Sequence, residues 1–224
     1  MNSQVSIIIP NYNCLQYLDT CINSIYQQKN VQFEIIIVDD GSNDGSINYL
    51  QRLAAEKNEV RIFSQQRKGV VAARNLAITQ AKSEYLAFLD ADDYWSADKL
   101  ASQLAFHLKH PDCVLSFTDY MHFNEQNEDI IGCFDYWPEF KCNKESKDFQ
   151  LLENPISQMI TTNIVGTSSV MVKRSAIVDV GGFDNKLSSA TDLDCWLKLA
   201  KCGDVAYSTQ CAMHYLMRAN SITA

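Results

Sequence analysis

No stretch of the 224 residues approaches the roughly 18 consecutive apolar residues that a bilayer-spanning helix requires, so a helical membrane span is not expected. A basic leader is missing too. The strand-like run Val5-Ser-Ile-Ile-Ile9 begins almost at the first residue, which argues against a secretory signal peptide. Positive charge is in deficit, with 19 Lys and Arg against 27 Asp and Glu and a net charge of −8. That balance excludes a broad cationic face for nucleic acid. An anionic ligand would have to be held locally, by a few cations, backbone amides or a metal. The eight cysteines form no CxxC pair and follow no regular spacing, so neither a zinc site nor a disulfide framework is expected. They read as reduced, mostly buried thiols of a cytosolic protein. Internal repeats, low-complexity segments and linkers are also absent, which leaves one domain over residues 1–224.

What is present is an alternation. Val5 to Ile9 is an apolar strand, and Leu15, Leu18, Cys21, Ile22 and Ile25 then recur at helical spacing, with Asn13 as the expected cap. Phe33 to Val38 is a second strand of the kind covered on both faces. Ile47, Leu50, Leu53 and Ala54 mark a helix, Val60 to Ser64 a strand, and Val71 to Ala81 a helix. Tyr85 to Leu89 is the fourth strand. Strands alternating with helices of this length predict βαβ units and a mainly parallel sheet. In such a sheet, ligands bind at the carboxyl ends of the strands. Three of these ends are polar and turn-rich: Pro10-Asn-Tyr-Asn13, Asp39-Asp-Gly-Ser42 and Asp90-Ala-Asp-Asp93.

The last of these carries the most chemistry. Three carboxylates within four residues repel one another unless water, a cation or hydrogen-bond donors intervene. A hard divalent ion such as Mg²⁺ or Mn²⁺ suits that oxygen set, with a substrate phosphate completing its shell. The plainer alternative is a solvated acidic loop ahead of the next helix, with Asp98 as that helix's cap. The second half is less regular. Leu100, Leu104 and Leu108 predict a helix ended by Pro111, and Cys113 to Met121 a strand. The segment from His122 to Lys147 reads as a long surface excursion. Asn154 to Thr162 and Arg174 to Val180 read as helices, and Ser168 to Val172 as a strand. Leu193, Trp196, Leu197 and Ala200 form a last helical face, ended by Gly203.

Taken together, these segments resemble the family 2 inverting glycosyltransferases of the GT-A fold. The resemblance covers nearly the whole chain. It is carried by Pro10-Asn-Tyr-Asn13, Val38-Asp-Asp-Gly-Ser42, Gly69-Val-Val-Ala-Ala-Arg-Asn75, Asp90-Ala-Asp-Asp93, Gly166-Thr-Ser-Ser169, Gly181-Gly-Phe-Asp184 and Thr191-Asp-Leu-Asp-Cys-Trp196. Each piece alone is weak, and their order gives the match its specificity. The resemblance implies an α/β, Rossmann-like sheet flanked by helices, with residues 1–95 holding a nucleotide-sugar and residues 96–224 an acceptor. It implies transfer of a hexosyl or N-acetylhexosaminyl unit from a nucleotide-sugar, a UDP-sugar being favoured. The acceptor would be a hydroxyl of a glycan or lipid-linked glycan in bacterial surface polysaccharide or lipopolysaccharide synthesis. Such work implies a cytoplasmic location, with peripheral contact at the inner face of the cytoplasmic membrane.

The resemblance also distributes roles. Pro10, Tyr12, Asn13, Asp39, Asp40, Lys68, Arg74, Asp90, Ala91, Asp92 and Arg218 would contact the donor, with Asp40 ahead of Asp39 for the base. Asp92 and Asp93 would hold Mn²⁺ or Mg²⁺. Asp192 would be the general base that an in-line inverting attack requires, with Asp194 as the alternative. Thr167, Ser168, Thr191 and Trp196 would face the acceptor. Two departures stand out. Thr191 occupies a place the family usually gives to Glu, and in Tyr215-Leu-Met-Arg-Ala-Asn-Ser221 an arginine, Arg218, replaces a histidine. A guanidinium has no lone pair for a metal but can neutralise a diphosphate. Relatives often continue into further helices beyond the place of Ala224, so a C-terminal extension is an open expectation. Two rivals remain. A sugar-phosphate nucleotidyltransferase would need a Gly-rich, Arg-containing loop after the first strand, and Pro10-Asn-Tyr-Asn-Cys14 has neither residue. A non-catalytic sugar-nucleotide or glycan-binding relative would show no turnover.

Overall fold

The computed structural model describes residues 4–218. Its first half alternates as the apolar periods require: β1 (Val5–Asn11), α1 (Leu15–Tyr26), β2 (Phe33–Asp39), α2 (Ser46–Glu56), β3 (Val60–Ser64), α3 (Val70–Gln80) and β4 (Tyr85–Phe88). The second half continues with β5 (Tyr94–Trp95), α4 (Lys99–Lys109), β6 (Cys113–Phe123), β7 (Asp129–Gly132), α5 (Cys133–Tyr136) and β8 (Gln150–Leu151). It ends with α6 (Pro155–Thr161), a 3-10 turn at Thr167–Ser169, β9 (Met171–Lys173), α7 (Arg174–Asp179), α8 (Thr191–Leu199) and β10 (Asp204–Leu216).

One sheet organises all of it, in the order β3-β2-β1-β4-β9-β6-β10-β5, with β7 beside β6 and β8 beside β10. Ile7, Ile8, Ile9, Ile35, Ile36 and Ile37 have no exposed surface, because helices cover both faces of the central strands. Burial of side chains of this size stabilises by about 1.5–3 kcal/mol each relative to exposure. The parallel pairing expected of βαβ units holds through β3-β2-β1-β4. Beyond β4 the sheet is mixed, since β9 runs antiparallel to both β4 and β6. β6 and β10 then pair in parallel again, so β9 is a reversed strand between two parallel groups.

Four expectations change, the first being the surface excursion over 122–147, where β7 pairs with β6, α5 forms, and Cys133, Phe134 and Phe140 are buried in the core. The cap of α1 is not Asn13, whose side chain instead accepts from Asn43 N at 2.8 Å. The Leu15 amide is capped from across the crevice by Asp44 Oδ2, at 2.8 Å. The strand expected over 168–172 shifts to Met171–Lys173, because Ser168 and Ser169 belong to the tight turn before it. On α4 the buried face includes Lys99, Gln103 and His107 together with Leu100 and Leu104, while Leu108 is 61% exposed.

Candidate active site

The carboxyl ends of β1, β2 and β4 converge, and side chains knit their loops together. Asn11 Nδ2 donates to Asp39 Oδ2 at 2.8 Å, and Ser42 donates to the same carboxylate through both its amide and its hydroxyl. The Asn13 amide donates in turn to Ser42 Oγ. Asp40, also buried, accepts from the amides of Lys68 and Gly69 at 2.6 and 2.8 Å and from Gln65 Nε2. Both aspartates of the second loop therefore brace neighbouring backbone. Gly41 must lie at φ +80°, and a Cβ there would meet the Arg67 amide at 3.3 Å, so glycine is required at that turn. Lys68 extends into solvent. Tyr12 is the open ring of the crevice, with the Arg67 guanidinium 4.9 Å from its centroid. Pro10 is half-buried at the end of β1.

The acidic loop after β4 is held from three sides. Arg74, buried on α3, donates from Nη2 to both oxygens of Asp90, at 2.7 and 2.8 Å. Ala91 is buried beside it. Asp93 points inward: its Oδ2 accepts from Ser168 Oγ at 2.5 Å, and its Oδ1 from the Leu216 amide at 3.1 Å. Ser168 Oγ also accepts from the Asp90 amide, while its carbonyl accepts from Trp95 Nε1 at 2.7 Å. Asp92 pairs with Arg218, whose guanidinium lies 5.4 Å from the Tyr17 ring centroid. Burial and the charge of Asp90 push the Asp92 carboxyl above the usual range, with Arg218 pulling it back down. Burial, with Asp92 and Asp90 close by, raises the Asp93 carboxyl well above that range.

This arrangement bears on Mn²⁺ or Mg²⁺. Among the described residues, no three His, Cys, Asp or Glu side chains converge as a metal site. Asp90 and Asp93 are turned to protein partners and Asp92 to Arg218, so the carboxylates as arranged do not fit a divalent ion. His214 offers no replacement ligand: its ring stacks flat on Tyr94, with centroids 4.5 Å apart.

On the other side of the crevice, α8 begins at Thr191, and Asp192 and Asp194 share its first turn. Asp194 is tied to Lys198 at 2.6 Å. Asp192 is half-buried, and its Oδ1 accepts from the Leu193 amide at 2.9 Å. Trp196 is buried and seats the helix: its ring packs 5.8 Å from Phe88 and 5.4 Å from Phe183, and Phe183 in turn lies under the Arg74 guanidinium. Trp196 and Ser168 are thus internal supports of the crevice, and Thr167 is buried beside Ser168. Tyr17 and the Leu216 amide contribute without a sequence motif to mark them, whereas Asn75 closes the Gly69-Val-Val-Ala-Ala-Arg-Asn75 segment. Ala219 to Ser221, the end of the departing segment, lie outside the described residues.

An open α/β sheet with an arginine-braced acidic loop at one strand end, and a helix with a carboxylate in its first turn packed through Trp196 on that strand, has the GT-A transferase architecture. The chain belongs to glycosyl transferase family 2, whose family model matches residues 6–176, and it is a glycosyltransferase. It is 32% identical to the teichuronic acid biosynthesis glycosyltransferase TuaG of Bacillus subtilis (strain 168), across 98% of this chain and 81% of that one. It is 31% identical to the chondroitin synthase of Pasteurella multocida (strain Pm70), across 89% of this chain but 19% of the relative. Among solved structures, S. aureus TarS 1-349 superposes with a TM-score of 0.76 at 20% identity, covering 95% of this chain and 60% of TarS 1-349. The mannosyltransferase PcManGT from Pyrobaculum calidifontis, in complex with GDP-Man and Mn²⁺, also gives 0.76 at 20% identity, covering 99% of this chain and 59% of that one. Both likenesses are of fold. No helix among the described residues is long and apolar enough to cross a membrane.

Proposed function

We propose that this chain is an inverting glycosyltransferase that moves a sugar from a nucleotide-sugar to an acceptor hydroxyl during assembly of a bacterial surface polysaccharide. The observation that carries the chemistry is the contrast within α8: Lys198 neutralises Asp194, while Asp192 has no cationic partner among the described residues. Asp192 takes the proton of the acceptor hydroxyl as its oxygen forms a bond to the anomeric carbon. The bond from that carbon to the diphosphate breaks on the opposite face. Charge gathers on the leaving group at the end of β4, where Arg74 and Arg218 supply donors. Tyr12 and the loop of Asp39 and Asp40 face the base and ribose, and Thr191 opens toward the acceptor. A divalent ion, Mn²⁺ or Mg²⁺, would add charge neutralisation at the diphosphate only if Asp92 were released from Arg218.

The names of the relatives support a polysaccharide product, and solved neighbours bound to UDP-GlcNAc and GDP-Man support a nucleotide-sugar donor. A UDP-sugar and a glycan or lipid-linked glycan acceptor at the inner face of the cytoplasmic membrane fit this reading. The test is a thermal-shift panel of UDP-, GDP- and dTDP-sugars, followed by NMR of the transfer product formed from the sugar that binds. Ligand binding to the native state raises its melting temperature. An α-linked donor should give a β-linked product. Retained anomeric configuration, or no shift with any sugar nucleotide, would overturn the proposal.

A further inference from the structure

Arg218 is delivered to Asp92 by fastened backbone. The Leu216 amide is held by Asp93 Oδ1 at 3.1 Å, and the Met217 amide donates to the Phe123 carbonyl at 2.8 Å. These two bonds pin the end of β10 along the acidic loop, and Arg218 follows with its guanidinium on Asp92 and beside the Tyr17 ring. The pair is partly sheltered, with side-chain exposures of 34% for Arg218 and 16% for Asp92. Tyr17 is itself steadied by a 3.3 Å hydrogen bond from its hydroxyl to Glu125. The contact therefore joins α1, the acidic loop, the turn after β6 and the end of β10.

We propose that Arg218 is the resting counter-ion of Asp92, and that Arg218 and a divalent ion exclude one another at this carboxylate. Asp90 gives both oxygens to the buried Arg74, and Asp93 is held by Ser168 and Leu216, whereas Asp92 gives one oxygen to the more exposed Arg218, so Asp92 is the carboxylate of the loop whose counter-ion is least buried. A divalent ion reaching Asp92 must displace the guanidinium and then sit beside it, and both requirements weaken its binding. A diphosphate changes that balance. It offers the guanidinium fork a better partner than one carboxylate oxygen, and Asp92 is then released. Nucleotide and metal thus bind more tightly together than apart, by the same factor in either order.

The experiment measures Mn²⁺ binding directly, from the loss of the free-ion electron paramagnetic resonance signal, with no nucleotide present. The parent chain is compared with Arg218→Gln and Arg218→Met, each checked for folding by circular dichroism. A cation beside a carboxylate shifts its proton affinity by about one to three powers of ten, and a change of at least about tenfold in Mn²⁺ affinity is expected here by analogy. Both neutral variants should therefore bind Mn²⁺ more tightly than the parent, and adding Asp92→Asn should abolish the gain. Affinities within threefold of the parent overturn the proposal, as does a gain that survives Asp92→Asn. A second arm adds UDP or GDP and rests on the functional reading above. Mn²⁺ affinity of the parent should rise with nucleotide, and that of Arg218→Gln much less. Equal nucleotide effects on parent and variant overturn the exchange. Failure of any nucleotide to bind would count against the functional reading and leave the first arm to decide on Arg218.

Discussion

Ser168 and Asp93 are separated by 75 positions in sequence and joined by a 2.5 Å hydrogen bond inside the protein, where Asp93 is 2% exposed. The same hydroxyl accepts from the Asp90 amide, so one serine sets the orientation of both ends of the acidic loop. Ser168→Ala should destabilise the fold by about 1–3 kcal/mol, the cost of leaving a buried acceptor and donor short of a partner. Urea denaturation of the two proteins measures this, and Ser168→Thr should recover part of the loss.

Arg74 is the counterpart brace. Its side chain is nearly buried, whereas that of Asp90 is 28% exposed, so solvent screens part of their attraction. Breaking a buried pair by removing one partner typically costs about 3–5 kcal/mol. With this exposure, Arg74→Ala is expected at about 2–3 kcal/mol, together with weaker nucleotide binding in calorimetry. Arg74→Lys places a point charge where Nη2 spans two oxygens and should recover less than half of either effect.

Asp192→Asn preserves shape and removes basicity. Turnover should fall by about 10²–10⁴-fold, the range for a positioned acid–base group, with donor affinity unchanged. Asp194→Asn breaks the tie to Lys198 and should lower turnover by less than about tenfold. Steady-state rates and donor affinity of the two variants, compared side by side, decide the assignment. The reverse order of effects would move the base to Asp194.

His107 is buried with Nδ1 on the Cys113 carbonyl and Nε2 on Ser116 Oγ, both from β6. Tyr85 of β4 packs on its ring at 5.1 Å, and Lys173 of β9 adds a nearby positive charge. Burial pushes its pKa down to about 4, from an ordinary value of 6.5. Between those values the unfolded chain binds the proton and the folded chain does not, so stability rises with pH across the window and is lost as pH falls through it. At pH 4.5 the loss from this residue should be about 2–3 kcal/mol. His107→Gln should flatten the difference between melting curves at pH 7 and 4.5 by that amount.

How much of this was legible in the chain follows from the range of each interaction. The strands of the parallel half and the polar loops at their ends could be read because both are local: consecutive isoleucines in Ser6-Ile-Ile-Ile9, turn formers in Asp39-Asp-Gly-Ser42. The buried face of α4 was misjudged because a stripe at every fourth residue drifts by about 40° per step. Leu108 has therefore rotated off the core while Leu100 and Leu104 stay in it, and the long side chains of Lys99, Gln103 and His107 share the buried face. β10 escaped notice because Tyr207-Ser-Thr-Gln-Cys211 has no clean alternation, and its register with β6 shifts between Ser208 and Cys211. The acidic loop was recognised as a cluster, but its partners lie 16, 75, 123 and 126 positions away and leave no local trace.

Asn75 and Phe183 give the last prediction. Asn75 Nδ2 donates to the Phe183 carbonyl at 2.7 Å, and the Phe183 amide donates to Asn75 Oδ1 at 3.0 Å. Two reciprocal bonds thus clamp α3 to the loop that leads into α8. Gly182, next to Phe183, lies at φ +69°, where a Cβ would fall 2.6 Å from Asn75 Oδ1. Only glycine adopts this backbone without strain and leaves the amide its room. The clamp holds the Phe183 ring against Phe88 and Trp196, and through Trp196 it sets where Asp192 stands. Asn75→Ala should cost about 2 kcal/mol for the two lost bonds, and Asn75→Asp, which keeps the acceptor and loses the donor, about half as much. Gly182→Ala should cost at least as much as Asn75→Ala, because it adds backbone strain to the loss of the clamp. A clamp that only stabilised the fold would leave turnover unchanged below the melting transition. If it also positions α8, kcat falls in all three variants while nucleotide affinity at the Asp39 and Asp40 loop holds, and kcat at parental levels in the folded variants would remove that role.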